Sequence, residues 1–350
     1  MIKPYRLLPK SFGRPVAWQP EKAPKLTGIY APNQQLANAR PFLSLPGTSG
    51  PESLAIDAEG RFYSGFADGR IARFLPDGTH DQVLINTGGR PLGMRVHPNG
   101  SLIVCDARRG LLQVTFGQKK RWFRTAQPWV TLKVLSDKAG RVPFKFCDDC
   151  DISADGRFVY FSDASSQRGE AGMQLDLLEH GGYGRLLSYD MKTTKTRVLM
   201  SGLNFANGVQ IASDGQSVLV TETGGYAIHR YWLSGAKAGK SELFASNLPG
   251  MPDNIRYAGG TYFVAMPAPR SKLLDGLADK PLIRLGAMQA LKIVDIPVAE
   301  LGMVLGFDEA GELTHNLQGG RYTFITQALP VGQNLYLSSL RQPSVLKLEL

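Results

Sequence analysis

Residues 209–233 read VQIASDGQSVLVTETGGYAIHRYWL. Apolar and polar residues alternate from Val209, a Ser-Asp-Gly turn follows, and a second apolar run, Val218–Val220, leads through Gly224 and Gly225 into a third, ending at Leu233. Period-two alternation broken by turn residues marks antiparallel strands joined by hairpins.

The same unit recurs along the chain. It appears as SLAIDAEGRFYSGFADGRIARF from Ser53, MRVHPNGSLIVCDARRGLLQV from Met94 and DISADGRFVYFSDAS from Asp151, then as IRYAGGTYFVAMPAP from Ile255 and VGQNLYLSSLRQPSVLKLEL from Val331. Six copies, roughly 40–70 residues apart and several extended by a third strand, have the spacing of four-stranded sheets repeated around an axis. The expected fold is therefore all-β: a six-bladed β-propeller spanning residues 1–350 as one domain, with residues 1–45 packing on or closing it. A seventh candidate, MVLGFDEAGELTHNL from Met303, lacks a third strand and reads as the outer half of a neighbouring blade. One segment, AGMQLDLLEH at 171–180, carries Met173, Leu177 and Leu178 on one face and predicts a short loop helix over the channel mouth.

With 43% hydrophobic residues the chain can bury a full core, and its 39 Gly and 22 Pro fit many turns. The net charge of +10 is dispersed; its densest clusters are QKKRWFR at 118–124 and MKTTKTR at 191–197. Without a helix carrying a basic stripe, nucleic acid is not the expected partner, while attraction to an anionic membrane stays open. Three cysteines are too few for a disulfide framework. Cys147 and Cys150 stand three apart, and on a regular strand such positions face opposite sides, so neither a bridge nor a metal clip is expected, only reduced, partly buried thiols. Pro and Gly interrupt MIKPYRLLPKSFGRPVAW before an apolar core can form, and no run of 18 apolar residues occurs, so the expected location is the cytoplasm.

In a propeller, the residues just before each first strand ring the central channel. Here they are Glu52, Leu92, Asp148 with Asp149, Asn207, and Asp253 with Asn254. Carboxylates and amides converging without His or thiolate suit a hard cation, and Ca²⁺ takes six to eight oxygen ligands.

The run from Leu203 to Tyr257, with GPESLAID, GRLLSYDMKT and LYLSSL, resembles the strictosidine-synthase-like proteins, a group within the six-bladed calcium-dependent propellers that include gluconolactonases, paraoxonases and diisopropyl fluorophosphatase. The resemblance covers roughly residues 45–350. It implies one channel Ca²⁺ held by Glu52, Asp148, Asn207 and Asp253, with Asp149 and Asn254 beside it. Asp148 departs from the pattern, which has Asn there. The resemblance also implies Asp253 as nucleophile or base, beside a metal that polarises a carbonyl or phosphoryl oxygen.

Two departures narrow the chemistry. Leu92 stands where paraoxonases carry a functional His, and Ile325 or Thr326 lies nearest the position of the catalytic Glu of strictosidine synthase, so neither machinery transfers intact. Among the five histidines, His97 falls in a turn, His80 after one, and His229 in a third strand; His315 is unplaced. His180, at the end of the helix over the mouth, is the candidate acid or base. GAKAGKS at 235–241 is one residue short of a P-loop and joins two strands, and no G-x-S-x-G occurs. The expected function is calcium-dependent hydrolysis of a small-molecule lactone or activated aryl ester. The alternatives are a non-catalytic binding propeller with structural calcium and a biosynthetic condensing enzyme.

Overall fold

The computed structural model describes residues 13–121, 124–290 and 299–350. The basic cluster at 118–124 includes Trp122 and Phe123, which lie outside the described residues, as does the start of the N-terminal stretch.

Six four-stranded antiparallel sheets follow one another along the chain. The first strands of blades 1 to 6 are Leu54–Ile56, Pro91–Val96, Cys147–Ile152, Ala206–Ile211, Ile255–Ala258 and Ile325–Val331. Hydrogen bonds link neighbouring first strands into a ring: Ser53 Oγ donates to Leu92 O, Asp149 Oδ2 accepts from Val209 N, and Gln327 Oε1 accepts from Leu54 N. Blade 6 is composite, because its outer strand is Arg40–Ser44, paired with Ser344–Glu349 from the far end of the chain. The unit from Met303 supplies the third and outer strands of blade 5, Met303–Phe307 and Leu313–Gln318.

Alternation fills the space between blades. Ile103, Val159, Phe161 and Leu187 pack blade 2 on blade 3, and Tyr226, Ile228, Ile255 and Val264 pack blade 4 on blade 5. Among the described residues three α-helices gather on one end with the N-terminal segment: α1 (Met173–Glu179), α2 (Lys272–Gly276) and α3 (Pro281–Ala290). α1 fits the segment read as helical, and its Met173 and Leu177 pack on Leu92, Phe146 and Phe205. α2 and α3 lie in an insertion between the second and third strands of blade 5, where the sequence had suggested no helix. Ser271 caps α2 by accepting from Leu274 N, and Pro281 opens α3, where its missing N–H costs nothing.

The expected facing and partial burial of the cysteines are corrected, while the absence of a bridge holds. Cys147 pairs with Asp163 and Cys150 with Phe161, so the strand holds one extra residue between them. That β-bulge cancels one step of alternation and turns both thiols to the same side. They are fully buried in one cluster with Cys105 of blade 2, and all three are free.

Candidate metal and active site in the channel

The bulge that re-aims the cysteines also builds the channel lining. In blade 3, Asp148 and Asp149 together oppose Ser162; in blade 4, Asn207 and Gly208 oppose Thr221; in blade 2, Leu92 and Gly93 oppose Cys105. Blade 6 has the same irregularity at Thr326. The channel residues of these blades thus lie within the first strands rather than before them. The second residue of each pair meets the neighbouring blade, which explains two of the glycines. A Cβ on Gly208 would stand 2.6 Å from Asn254 Cα, and one on Gly93 would stand 2.5 Å from Asp149 Cα.

Two contacts skip a blade, which only groups near the axis can do. Asn254 of blade 5 donates to Glu52 Oε1 of blade 1 at 2.6 Å. Arg256 of blade 5 reaches Asp149 of blade 3, with Nη1 to Oδ2 at 2.7 Å and Nη2 to Oδ1 at 2.9 Å. Glu52, Asp148, Asn207, Asp253, Asp149 and Asn254 are all buried, and none is more than 9% exposed.

The acids sit in one another's field. Burial first and the charge of Asp149 second push Glu52 up to about 7, against the pull of Arg90, Asn254 and Arg256. Burial, then Glu52 and Asp253, hold Asp148 well above the usual carboxylate range. Asp253 is raised likewise by burial and by Glu52. A site that keeps three carboxyls so close in low dielectric favours either protons or a cation between them.

Oxygens that fit a cation are present. Glu52 Oε2, Asn207 Oδ1, Asp253 Oδ1 and Asn254 Oδ1 are buried with no hydrogen-bond partner among the described residues. Each such group costs about 1–3 kcal/mol unless something meets it. Among the described residues no three His, Cys, Asp or Glu side chains by themselves form a metal site, so the amide oxygens have to take part. An all-oxygen set of this mixture suits Ca²⁺.

Neighbouring groups hold these side chains from behind. Thr326 Oγ1 donates to Glu52 O, Thr221 Oγ1 to Asp253 O, and Ser162 Oγ accepts from Asp149 N. Thr326, Gln327 and Arg256 were missed in the sequence; placing TFITQALP in register with FCDDCDIS would have found the first two. His180 ends α1 in a left-handed conformation, φ 51°, and stacks on Trp18 with ring centroids 3.9 Å apart. Burial depresses its pKa to about 4. Its ring thus serves the lid packing, together with Leu177, Tyr226, Met251 and Arg284 around a small cavity. His97 bonds Gly156 O, and His229 sits 2.6 Å from Glu222, both away from the channel acids.

Fold and lining together define a six-bladed propeller with buried acids and amides gathered on its axis. Its sequence matches the family model for strictosidine synthase over residues 148–236 and that for the strictosidine synthase-like N-terminal region over 28–74. The adipocyte plasma membrane-associated protein of Danio rerio is 34% identical over 96% of this chain and 84% of its own length. The chain belongs to the strictosidine-synthase-like family. Among solved structures, a gluconolactonase from Xanthomonas campestris superposes with a TM-score of 0.60 at 17% identity, covering 98% of this chain and 99% of that one. Regucalcin from Agrobacterium tumefaciens, described as a calcium-binding protein, gives 0.60 at 15% identity over 89% and 93%. At these identities the likeness is one of fold.

Proposed function

We propose that the protein is a calcium-dependent hydrolase of lactones or activated aryl esters, working in the axial channel. The observation that carries this is the set of four buried, unpartnered oxygens on Glu52, Asn207, Asp253 and Asn254, next to carboxyls that repel one another. Glu52, Asp148, Asn207 and Asp253 would hold the ion. Bound there, Ca²⁺ would supply a Lewis acid for the substrate's carbonyl oxygen.

The rest of the chemistry falls to the chain. The Asp253 carboxylate takes a proton from the water that adds to the carbonyl and returns it to the departing alkoxide, or attacks the carbonyl itself, expelling that alkoxide to leave an anhydride that water then hydrolyses. Asn254 keeps Glu52 oriented through its 2.6 Å hydrogen bond, and the Asp149–Arg256 pair fixes the wall behind. α1 and the apolar residues beneath it exclude water from the mouth. His180, packed on Trp18, takes no part in the proton transfer.

The test is elemental analysis of dialysed protein beside the Asp253→Ala variant, followed by hydrolysis of phenyl acetate and a γ-lactone with wild type and Asp253→Asn. About one calcium per chain, lost in Asp253→Ala, with hydrolysis lost in Asp253→Asn, is the expected result. Full hydrolysis by Asp253→Asn would remove Asp253 as nucleophile or base. The close cover of Met173 and Leu177 over the mouth favours a second reading, a binding propeller whose calcium is structural. It predicts that calcium raises the melting temperature while neither ester nor lactone is turned over. Three free, buried thiols suit a reducing compartment, and we place the protein in the cytoplasm on that ground. Among the described residues no helix is long and apolar enough to cross a membrane.

A further inference from the structure

Two residues before each channel position the blades carry a second ring. The same hydrogen bond marks it: Ala107 N donates to Arg90 O, Ala164 N to Phe146 O, Thr223 N to Phe205 O, and Leu340 N to Phe324 O. In blade 5, Met251 takes this place, paired with Ala268. The ring therefore reads Arg90, Phe146, Phe205, Met251 and Phe324, closed in blade 1 by Gly50, and all five side chains are less than 10% exposed. Phe146 and Phe205 meet edge to face at 5.2 Å, and Leu92 joins them. One member of an otherwise apolar ring is a guanidinium.

The Arg90 side chain is only 3% exposed, yet its donors are poorly used. Nη1 donates to Gly50 O at 3.1 Å. Nε stands 4.0 Å from Glu170 Oε1, too far for a hydrogen bond, because Glu170 is held by Arg108 at 2.8 Å. Nη2 donates to no acceptor among the described residues. The open edge, Nε with Nη2, is the edge through which a guanidinium grips a carboxylate with two parallel hydrogen bonds. A buried cation with that edge free gains from an anion that fills it. Glu52 and Glu170 act on it through their charge, Glu170 as an ion pair at 4.0 Å, and neither accepts a hydrogen bond from it.

We propose that Arg90 anchors a carboxylate on the substrate, so that the channel selects an ester or lactone with an apolar aryl or alkyl body and an anionic tail. This deepens the hydrolase reading and rests on it for the reaction, but the recognition of the anion can be measured without turnover.

The experiment uses the full chain with calcium chloride present and titrates 4-phenylbutyrate against its neutral amide by calorimetry, for wild type, Arg90→Met and Arg90→Lys. Wild type should prefer the carboxylate by about 10- to 100-fold, the range of a charged hydrogen-bonded pair. Arg90→Met should lose that preference while binding the amide as before, and Arg90→Lys should retain part of it. In parallel, mono(4-nitrophenyl) glutarate and 4-nitrophenyl butyrate are compared as substrates. Arg90→Met should raise KM for the charged ester by more than for the neutral one, so that the ratio of the two kcat/KM values, rather than either value alone, reports the anchor. A wild type without charge preference, or a folded Arg90→Met that keeps it, overturns the proposal. If Arg90→Met does not fold, an Arg90→Lys variant that keeps the full wild-type preference has the same effect, because an ammonium cannot replace the two-point grip of the guanidinium edge. Turnover of both esters alike, with no preference in binding, would leave the hydrolase reading standing and remove the anchor; carboxylate-selective binding without any turnover would do the reverse.

Discussion

Replacing Arg256 by Met should destabilise the protein severely. The Arg256 side chain is 2% exposed and that of Asp149 is fully buried, and their two hydrogen bonds of 2.7 and 2.9 Å are the main neutralisation of that carboxylate. After the substitution Asp149 keeps only the 2.8 Å bond from Val209 N on its carboxylate. Breaking a buried pair from one side costs about 3–5 kcal/mol, because the remaining charge stays desolvated. Unfolding entropy of about 2.1 cal/mol/K per residue gives about 0.7 kcal/mol/K over 350 residues, so the melting temperature should fall by about 4–7 °C. The assay is a double-mutant cycle read by calorimetry, with Arg256→Met, Asp149→Asn and the two together. The double variant should recover at least half of the loss, since its polar groups no longer include an unpaired charge. A fall of less than about 1 °C for Arg256→Met, or a double variant no better than the single one, would refute the view that this pair braces the channel.

Calcium at about 100 times its dissociation constant should stabilise the wild type by about 2.7 kcal/mol, visible as a rise in melting temperature that chelator reverses and that Asp253→Ala lacks. The depressed pKa of His180, about 4 against an ordinary 6.5, makes the unfolded chain the better proton binder between those values. Stability from this group is therefore complete above pH 6.5 and lost progressively as the pH falls towards 4; His180→Phe, which keeps the stack on Trp18, should show a shallower fall in melting temperature between pH 7 and pH 5. All three thiols should resist a disulfide reagent in the native protein and react fully in guanidinium, because each is completely buried; fast reaction of even one in the native state would contradict the packing between blades 2 and 3.

The propeller was readable because hairpin chemistry is local. Turns that end in Gly, such as Asp57–Gly60 and Ser213–Gly215, set between apolar runs such as Val218–Val220 announce strands wherever they occur, and six such units imply a ring. The channel positions were readable for the same reason, since they recur at one place in the repeat. What stayed hidden depends on an inserted residue or on distant partners. The bulge at Asp148–Asp149 reverses the facing of Cys147 and Cys150, and alternation alone cannot reveal it. Arg256 looks like an ordinary strand residue until blade 3 comes within reach of blade 5. His180 drew attention by its chemistry at the end of α1, whereas its burial against Trp18 arises from the N-terminal segment crossing above it. Nothing near residue 180 in the sequence signals that crossing.

The joint of blade 6 has a consequence for how the molecule is made. Arg40 pairs with Lys347 and Ser44 with Ser344, so a strand made early must wait for one that lies about 300 residues further along the chain. Until then blade 6 cannot take up its outer strand, whose only sheet partner is Ser344–Glu349. Contacts between such distant parts of a chain form slowly, because loop closure must precede their reward. During synthesis the nascent chain is thus an open arc with an unpaired edge, which makes it dependent on protection from aggregation until Ser344–Glu349 has been made.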